Sequence, residues 1–188
     1  MNGAEIAGLV LRASVGSTMV AHGIRHGRSL EGTARWFGSI GFARPRLQAA
    51  ASAAVEIGAG GLLLVGTATP VAAAAVVGTM AVATRSVHAE NGFFITAEGY
   101  EYVLTLAAAA TAVSALGAGT ASVDRWWGRG SGSCALQRVA VTVGLGLGAA
   151  AVQLLLFWRR PSPPAVAEQP TTTATHLEPL MPSPGASG

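Results

Sequence analysis

The sequence predicts an all-α fold, a polytopic membrane helix bundle with five spanning helices. Of its 188 residues, 51% are hydrophobic and only 11% are charged, whereas soluble domains carry roughly 25% charged residues. The charged residues cluster between five long apolar runs. Each run is close to the ~20 residues that a helix needs to cross ~30 Å of hydrocarbon. We therefore expect the lipid bilayer to surround the bundle.

The predicted spans follow one another with short or basic connections. They cover residues 6–24, 47–66, 70–87, 100–118 and 138–158. Arg12 interrupts the first span and Glu56 the second, whereas the third is short and rich in alanine. Glycines recur in the second and fifth spans, and small residues allow helix backbones to approach closely in lipid.

Two connections carry structural information. The longest, residues 25–46, contains Trp36 and Phe37 in its middle, which predicts a short interfacial helix near residues 30–40. The link at residues 67–69 is so short that the second and third spans should form an antiparallel hairpin.

The remaining segments are polar. We expect a flexible loop at residues 128–137 and a disordered tail at residues 159–188, because the tail is rich in Pro, Thr and Ser and lacks an apolar period. Residues 1–127 would then form the membrane core. The single cysteine, Cys134, cannot form an internal disulfide.

The 12 basic residues are all arginine and give a formal net charge of +3. They flank the apolar runs, so membrane orientation explains them better than nucleic-acid binding does. With five crossings, eight arginines fall on one face and three on the other. The positive-inside rule then places the N-terminus outside a bacterial plasma membrane and the C-terminal tail in the cytoplasm.

Alternation of the spans also gathers polar side chains on the arginine-rich side. The set is His22, Arg25, His26, Arg85, His88, Glu98, Tyr100, Glu101 and Tyr102. Such a set could bind a headgroup, a quinone carbonyl or an anion, or relay protons; ordinary interfacial anchoring is the alternative. We expect His88 and Glu101 to come within reach of each other, or of His22 or Arg25.

Arg12 and Glu56 lie within apolar spans. Antiparallel packing would set Glu56 level with about Val15, one helical turn from Arg12. An unpaired charge at this depth is costly, so the sequence predicts an Arg12–Glu56 pair, either structural or the centre of a functional polar site.

Metal and enzyme signatures are weak. His22 and His26 have i, i+4 spacing and His88 could be a third ligand, but no Cys or Asp pattern supports a metal site. No phosphate-binding loop, nucleophile elbow or dinucleotide fingerprint occurs. We expect no metal, and whether the protein is an enzyme stays open.

Several motifs resemble those of the DoxX family of small bacterial membrane proteins. They are Val87-His88-Ala89-Glu90-Asn91-Gly92-Phe93-Phe94, Glu98-Gly99-Tyr100-Glu101-Tyr102, Gly117-Ala118-Gly119 with Ser122-Val123-Asp124, His22-Gly23 with Arg25, and Glu56-Ile57-Gly58. The resemblance covers roughly residues 6–127. Arg25 stands where the family usually has Lys, and Thr120 where it often has Arg.

The resemblance implies a four-helix membrane core, to which the fifth span and the tail are additions. Some members belong to a thiosulfate:quinone oxidoreductase, and another is described in an assembly with superoxide dismutase and a sulfurtransferase. These associations imply two hypotheses, and the intramembrane charges suggest a third. The first is a non-catalytic membrane subunit or scaffold of a redox or sulfur-metabolism assembly with oxidoreductase or sulfurtransferase partners. The second is a quinone-linked thiosulfate oxidoreductase component, and the third, from Arg12 and Glu56, is a small-solute carrier.

Overall fold

The computed structural model describes residues 1–128 and 132–161, and in these ranges the chain folds into helices without a named strand. The α-helices are α1 (Gly3–Arg28), α2 (Leu30–Ser39), α3 (Pro45–Val65), α4 (Thr69–Ala83), α5 (Glu101–Leu116), α6 (Val123–Trp126) and α7 (Ala135–Phe157). A π-helical turn, Thr84–His88, and a 3-10 turn, Ala89–Asn91, extend α4. The helical membrane bundle is confirmed.

Four helices of the described chain are long and apolar enough to cross a bilayer: α1, α3, α7 and α4 with its extension to Asn91. The predicted fourth span is shorter than expected, since α5 has 16 residues and a length of only ~24 Å. It begins at Glu101 and ends before Gly117, whose φ of +81° stops the helix. The short helix near residues 30–40 is present as α2, and the 67–69 link forms the expected tight hairpin.

Helices α1 and α3 pack antiparallel with their backbones in contact. A Cβ added at Gly60 would lie 2.5 Å from the Gly16 carbonyl oxygen, and one at Gly23 would lie 2.8 Å from the Ala53 oxygen. Any side chain at these positions would push the helices apart. The glycines therefore fix the register, which sets Glu56 level with about residues 20–24 of α1.

Helix α7 packs on α4 by the same device. A Cβ at Gly146 would lie 2.7 Å from the Ala74 carbonyl oxygen, and one at Gly78 would lie 3.0 Å from the Gly146 oxygen. Near the start of α4 the contact is polar, since Thr142 Oγ1 donates to the Pro70 oxygen at 3.0 Å. The fifth predicted span, α7, is thus an integral part of the bundle. The separation of a core at residues 1–127 from this span by a loop at residues 128–137 stays a prediction.

Helix α4 is the central element. Its buried side chains meet those of α1, α3 and α5 in one apolar cluster that includes Val15, Leu63, Val76 and Val113. A second apolar cluster lies between α2, α3, α4 and α7 and includes Phe37, Phe42, Ala49, Val82 and Ala150.

The end of α7 is tied to the loop between α2 and α3. Ala43 N donates to the Phe157 oxygen at 2.7 Å, and Arg159 N donates to the Gly41 oxygen at 3.0 Å. Trp158 Nε1 adds a bond to the Ile40 oxygen at 2.8 Å. Most of the expected disordered tail, residues 162–188, and residues 129–131 of the expected loop lie outside the described residues.

Candidate functional site

The predicted polar residues do lie at one end of the bundle, here called the arginine-rich face. It holds the C-terminal ends of α1, α4 and α7 and the N-terminal ends of α3 and α5. His22 stacks on Tyr102 with ring centroids 6.5 Å apart, and His26 meets His22 edge-on at 6.4 Å. These contacts join the end of α1 to the start of α5.

His88 and Glu101 stabilise the loop between α4 and α5. His88 Nδ1 lies 2.6 Å from the Glu98 carbonyl oxygen, and Glu101 Oε2 accepts a bond from Ile95 N at 3.0 Å. Within the described chain their hydrogen bonds therefore run to the loop backbone, not to each other. Gly92, with φ of +78°, makes the expected turn.

The other members of the predicted set are dispersed. Arg85 places its guanidinium carbon 4.5 Å from the centre of the Trp158 ring, so it supports the end of α7. The Arg25 and Glu98 side chains are exposed. Interfacial anchoring describes these residues better than one shared site does.

The predicted Arg12–Glu56 pair does not form. The register set by Gly16 and Gly60 moves Glu56 at least five residues, or ~7.5 Å, past the position assumed from the sequence. Glu56 instead pairs with His26, whose Nδ1 lies 3.0 Å from Glu56 Oε2. Opposite charge alone does not decide which residue Glu56 pairs with. Arg12 and Glu56 are both buried, so each one contacts the polar groups that helix packing places nearest to it.

Arg12 caps the end of α3. It is 3% exposed, and its Nε donates to the Leu63 oxygen at 2.8 Å while Nη2 donates to the Leu64 oxygen at 3.0 Å. Nη1 donates to the carbonyls of Ala118 and Ala121 in the loop after α5. A cation suits the negative end of a helix dipole, so this arginine joins α1, α3 and the loop.

Arg138 repeats this arrangement on α5. Its Nε donates to the Ser114 oxygen at 2.9 Å and its Nη2 to the Ala115 oxygen at 2.6 Å.

Arg12 and Arg138 both line a cavity of about 500 Å³ at the opposite face of the bundle, and Thr69 and Asp124 also line it. Asp124 accepts bonds from Thr67 Oγ1 and Ala68 N, both at 2.8 Å. These charged groups hold the helix ends together.

A second cavity, here called the apolar cavity, lies near the arginine-rich face between α2, α3, the end of α4 and α7. It measures about 490 Å³. Its apolar wall includes Trp36, Phe37, Phe42, Val82 and Phe157, and its polar wall includes His26, Gln48, Ser52, Glu56, His88 and Gln153. A largely apolar cavity with a few convergent polar groups is the usual form of a small-molecule site.

Glu56 is the central polar group of the apolar cavity. It is 4% exposed, and its Oε1 accepts a bond from Ser52 Oγ at 2.8 Å. Its Oε2, close to His26 Nδ1, receives no aligned hydrogen bond from any residue that the structure describes. A buried carboxylate oxygen with spare acceptor capacity is costly unless an occupant uses it.

Gln48 and Gln153 form a second polar group in the same cavity. Gln153 Nε2 donates to Gln48 Oε1 at 2.9 Å, which joins α7 to the start of α3. Gln48, Ser52 and Glu56 are four residues apart, so they share one face of α3.

The apolar cavity opens at the side of the helix bundle. Trp36, Leu47 and Val55 line it and yet are 44%, 53% and 44% exposed. These residues lie on the outer surface of helices that the bilayer would surround, so the opening faces lipid.

The sequence pointed to only part of this site. His26 was placed with the headgroup-depth residues, and Gln48, Ser52 and Gln153 were not singled out. Gln48, Ser52 and Glu56 recur at i, i+4 spacing within an apolar span, and this pattern could have indicated the polar wall of the cavity. The metal hypothesis gains no support, since the described ranges contain no group of three or more His, Cys, Asp or Glu residues suited to an ion.

Comparison with known proteins gives one match. The family model described as DoxX matches residues 7–89, from α1 to the turn after α4. No curated protein and no solved structure matches the chain.

Proposed function

We propose that this chain, whose residues 7–89 match the DoxX family model, is the membrane subunit of a redox assembly and binds a quinone head in its apolar cavity. The observation that carries the proposal is Glu56, a buried carboxylate with an oxygen free of aligned hydrogen bonds at the wall of an apolar space. An ionised carboxylate only accepts hydrogen bonds, so it can bond a hydroxyl of the reduced ring, the quinol.

The chemistry of the cavity suits this ligand. Trp36, Phe37 and Phe157 supply aromatic surface for a ring. His26 and Glu56 are titratable groups in contact, and such groups can move the protons that accompany quinone reduction. A membrane-dissolved quinone would enter through the opening at Leu47 and Val55.

The redox part of the proposal comes from the family resemblance. Electrons for a bound quinone would come from a partner oxidoreductase; a sulfurtransferase, the other class that the resemblance implies, would transfer sulfur and not electrons. The chain would then act as a subunit, and catalysis would depend on the assembly. Mild-detergent purification should recover such a partner; recovery of the chain alone would contradict this part.

Binding can be measured directly in lipid nanodiscs. A short-chain quinone should quench the Trp36 fluorescence saturably, and Trp36→Phe should remove that component. Glu56→Gln should weaken binding of the reduced quinol, measured by its competition with the quinone, by about tenfold, the effect of ~1.4 kcal/mol from one lost charged hydrogen bond. Glu98→Gln, an exposed control on the same face, should bind as the wild type does. Quenching that Trp36→Phe leaves unchanged, or equal quinol affinity in Glu56→Gln, would overturn the proposal.

No observation favours the carrier alternative. It depended on Arg12 and Glu56 forming one polar centre, and the structure gives them separate partners.

A further inference from the structure

Another cavity, here called the basic cavity, lies at the arginine-rich face and measures about 620 Å³. Its polar and aromatic lining comes from α2, from the turns after α4 and from the end of α7: Ser39, Arg85, Ser86, Asn91, Trp158 and Arg160. We propose that the basic cavity binds the phosphate group of an anionic phospholipid, with the Arg85 guanidinium as its main contact. The inference goes beyond the quinone proposal, because it concerns a different cavity and a different class of ligand.

Arg85 is held in place without using its hydrogen-bond donors. Its guanidinium carbon lies over the Trp158 ring, 4.5 Å from the ring centre. Trp158 is itself fixed, since its Nε1 donates to the Ile40 oxygen at 2.8 Å. None of the described residues accepts a hydrogen bond from Arg85. The N–H groups that do not face the ring therefore stay available for an anion, and two adjacent guanidinium N–H groups match two oxygens of a phosphate.

The backbone at Arg85 is specialised. The residue lies in the π-helical turn Thr84–His88, and π-helical turns are rare and often occur at functional sites. Arg85 lines the basic cavity, His88 lines the apolar cavity and Ser86 lines both. One turn thus supplies side chains to two neighbouring cavities, and the arginine belongs to the basic one.

The charged residues that line the basic cavity leave it net positive. Arg160 Nη2 lies 2.7 Å from Glu90 Oε1, so this arginine neutralises the carboxylate. Arg85 has no carboxylate partner in the part of the chain that the structure describes. Its charge therefore attracts a phosphate and repels a positively charged headgroup such as choline.

The depth of the basic cavity favours a lipid as the source of the phosphate. Trp158 follows the last residue of α7, and Arg85 follows the apolar helix α4. Tryptophan and arginine at the ends of apolar helices mark the level of the lipid headgroups. The arginine count assigns this face to the cytoplasm, and basic pockets between membrane helices on the cytoplasmic side are suited to anionic headgroups.

Native mass spectrometry of the full chain in mild detergent measures the affinity for each lipid. Dioctanoyl phosphatidylglycerol should bind more tightly than dioctanoyl phosphatidylcholine, and equal affinities would contradict the selection of an anionic lipid. Arg85→Gln should weaken phosphatidylglycerol binding by about tenfold, the value of one charged hydrogen bond. Arg25→Gln, an exposed arginine of the same face outside the cavity, should bind as the wild type does. Binding in Arg85→Gln that is no weaker than in Arg25→Gln would overturn the site.

A variant that gains affinity guards against misfolding. Glu90→Gln removes the carboxylate and leaves Arg160 available to the headgroup, so phosphatidylglycerol affinity should rise about threefold, the size of an exposed charge interaction. Glu98→Gln, an exposed carboxylate outside the cavity, should leave the affinity unchanged. Unchanged or weaker binding in Glu90→Gln would contradict the assignment to this cavity.

Inorganic phosphate distinguishes a lipid from a soluble anion. Because it lacks acyl chains, it should not displace phosphatidylglycerol from the wild type at equal concentration. Displacement at equal concentration would overturn the assignment to a lipid.

Discussion

His26 Nδ1 lies 3.0 Å from Glu56 Oε2 and joins the last turns of α1 to the middle of α3. Ser52 Oγ completes the group, 2.8 Å from Glu56 Oε1 and 3.3 Å from His26 Nδ1. Glu56 is buried and the His26 side chain is 23% exposed. His26 therefore connects the arginine-rich face with the polar wall of the apolar cavity.

A double-mutant cycle with His26→Gln and Glu56→Gln should show that the two residues are coupled. Because the pair is mostly buried, we expect an interaction energy of about 1–3 kcal/mol. Unfolding in mixed detergent measures the four free energies. Additive effects of the two substitutions would show that the contact contributes nothing to stability.

Arg12→Gln should destabilise the protein strongly. The substitution leaves the carbonyls of Leu63, Leu64, Ala118 and Ala121 without their buried donor, at a cost of about 3–5 kcal/mol. Thermal unfolding in detergent should show the loss. Arg28→Gln, exposed on the same helix, is the control, and equal stability of the two variants would contradict the capping role.

Gly60→Ala should disrupt the α1–α3 contact. The new Cβ would meet the Gly16 backbone oxygen at 2.5 Å, and relief of that overlap costs about 1–3 kcal/mol. Gly58→Ala on the same helix meets nothing within 4 Å and should be neutral in the same unfolding assay. A neutral Gly60→Ala would mean that the helices do not touch there.

Thr69→Val should raise stability. Thr69 is 1% exposed, and none of the described residues bonds its hydroxyl, so replacing the hydroxyl with a methyl group removes a desolvation cost of about 1 kcal/mol. Thr142→Val is the matched control, because the Thr142 hydroxyl lies 2.7 Å from Ser114 Oγ. That variant should lose stability, and a loss in Thr69→Val as well would show that its hydroxyl has a partner.

The natural cysteine tests the orientation that we propose from the arginine count. Cys134 is exposed at the start of α7, on the face assigned to the outside. A membrane-impermeant maleimide should label it in intact cells. In Cys134→Ser combined with Ser39→Cys, labelling should require permeabilised cells. The opposite labelling pattern would show that the orientation is the reverse of the one proposed.

Much of the fold followed from the sequence. Long apolar segments between arginine-rich links define helices locally, because a backbone in lipid must satisfy its own hydrogen bonds. The predicted ends of α1, α3 and α7 were therefore close to the observed ones. The fourth span was located within two residues at each end but predicted as three residues too long, since the start at Glu101 and the turn at Gly117 depend on loop geometry.

The site was less predictable. His22, His26 and Tyr102 share a face as alternation predicted, yet the prediction paired Arg12 with Glu56. A single sequence does not give the helix register, and an error of five residues moves a side chain by more than one turn.

The sequence by itself determined that the chain is a bundle of membrane helices and which polar residues lie at each end. Only the tertiary structure decided which of them meet. Backbone contact at Gly16 and Gly60 set the α1–α3 register, and the packing of α7 on α4 brought Gln153 to Gln48. The physical reason is that apolar composition acts along one helix, whereas the partner of a buried charge depends on close packing between helices.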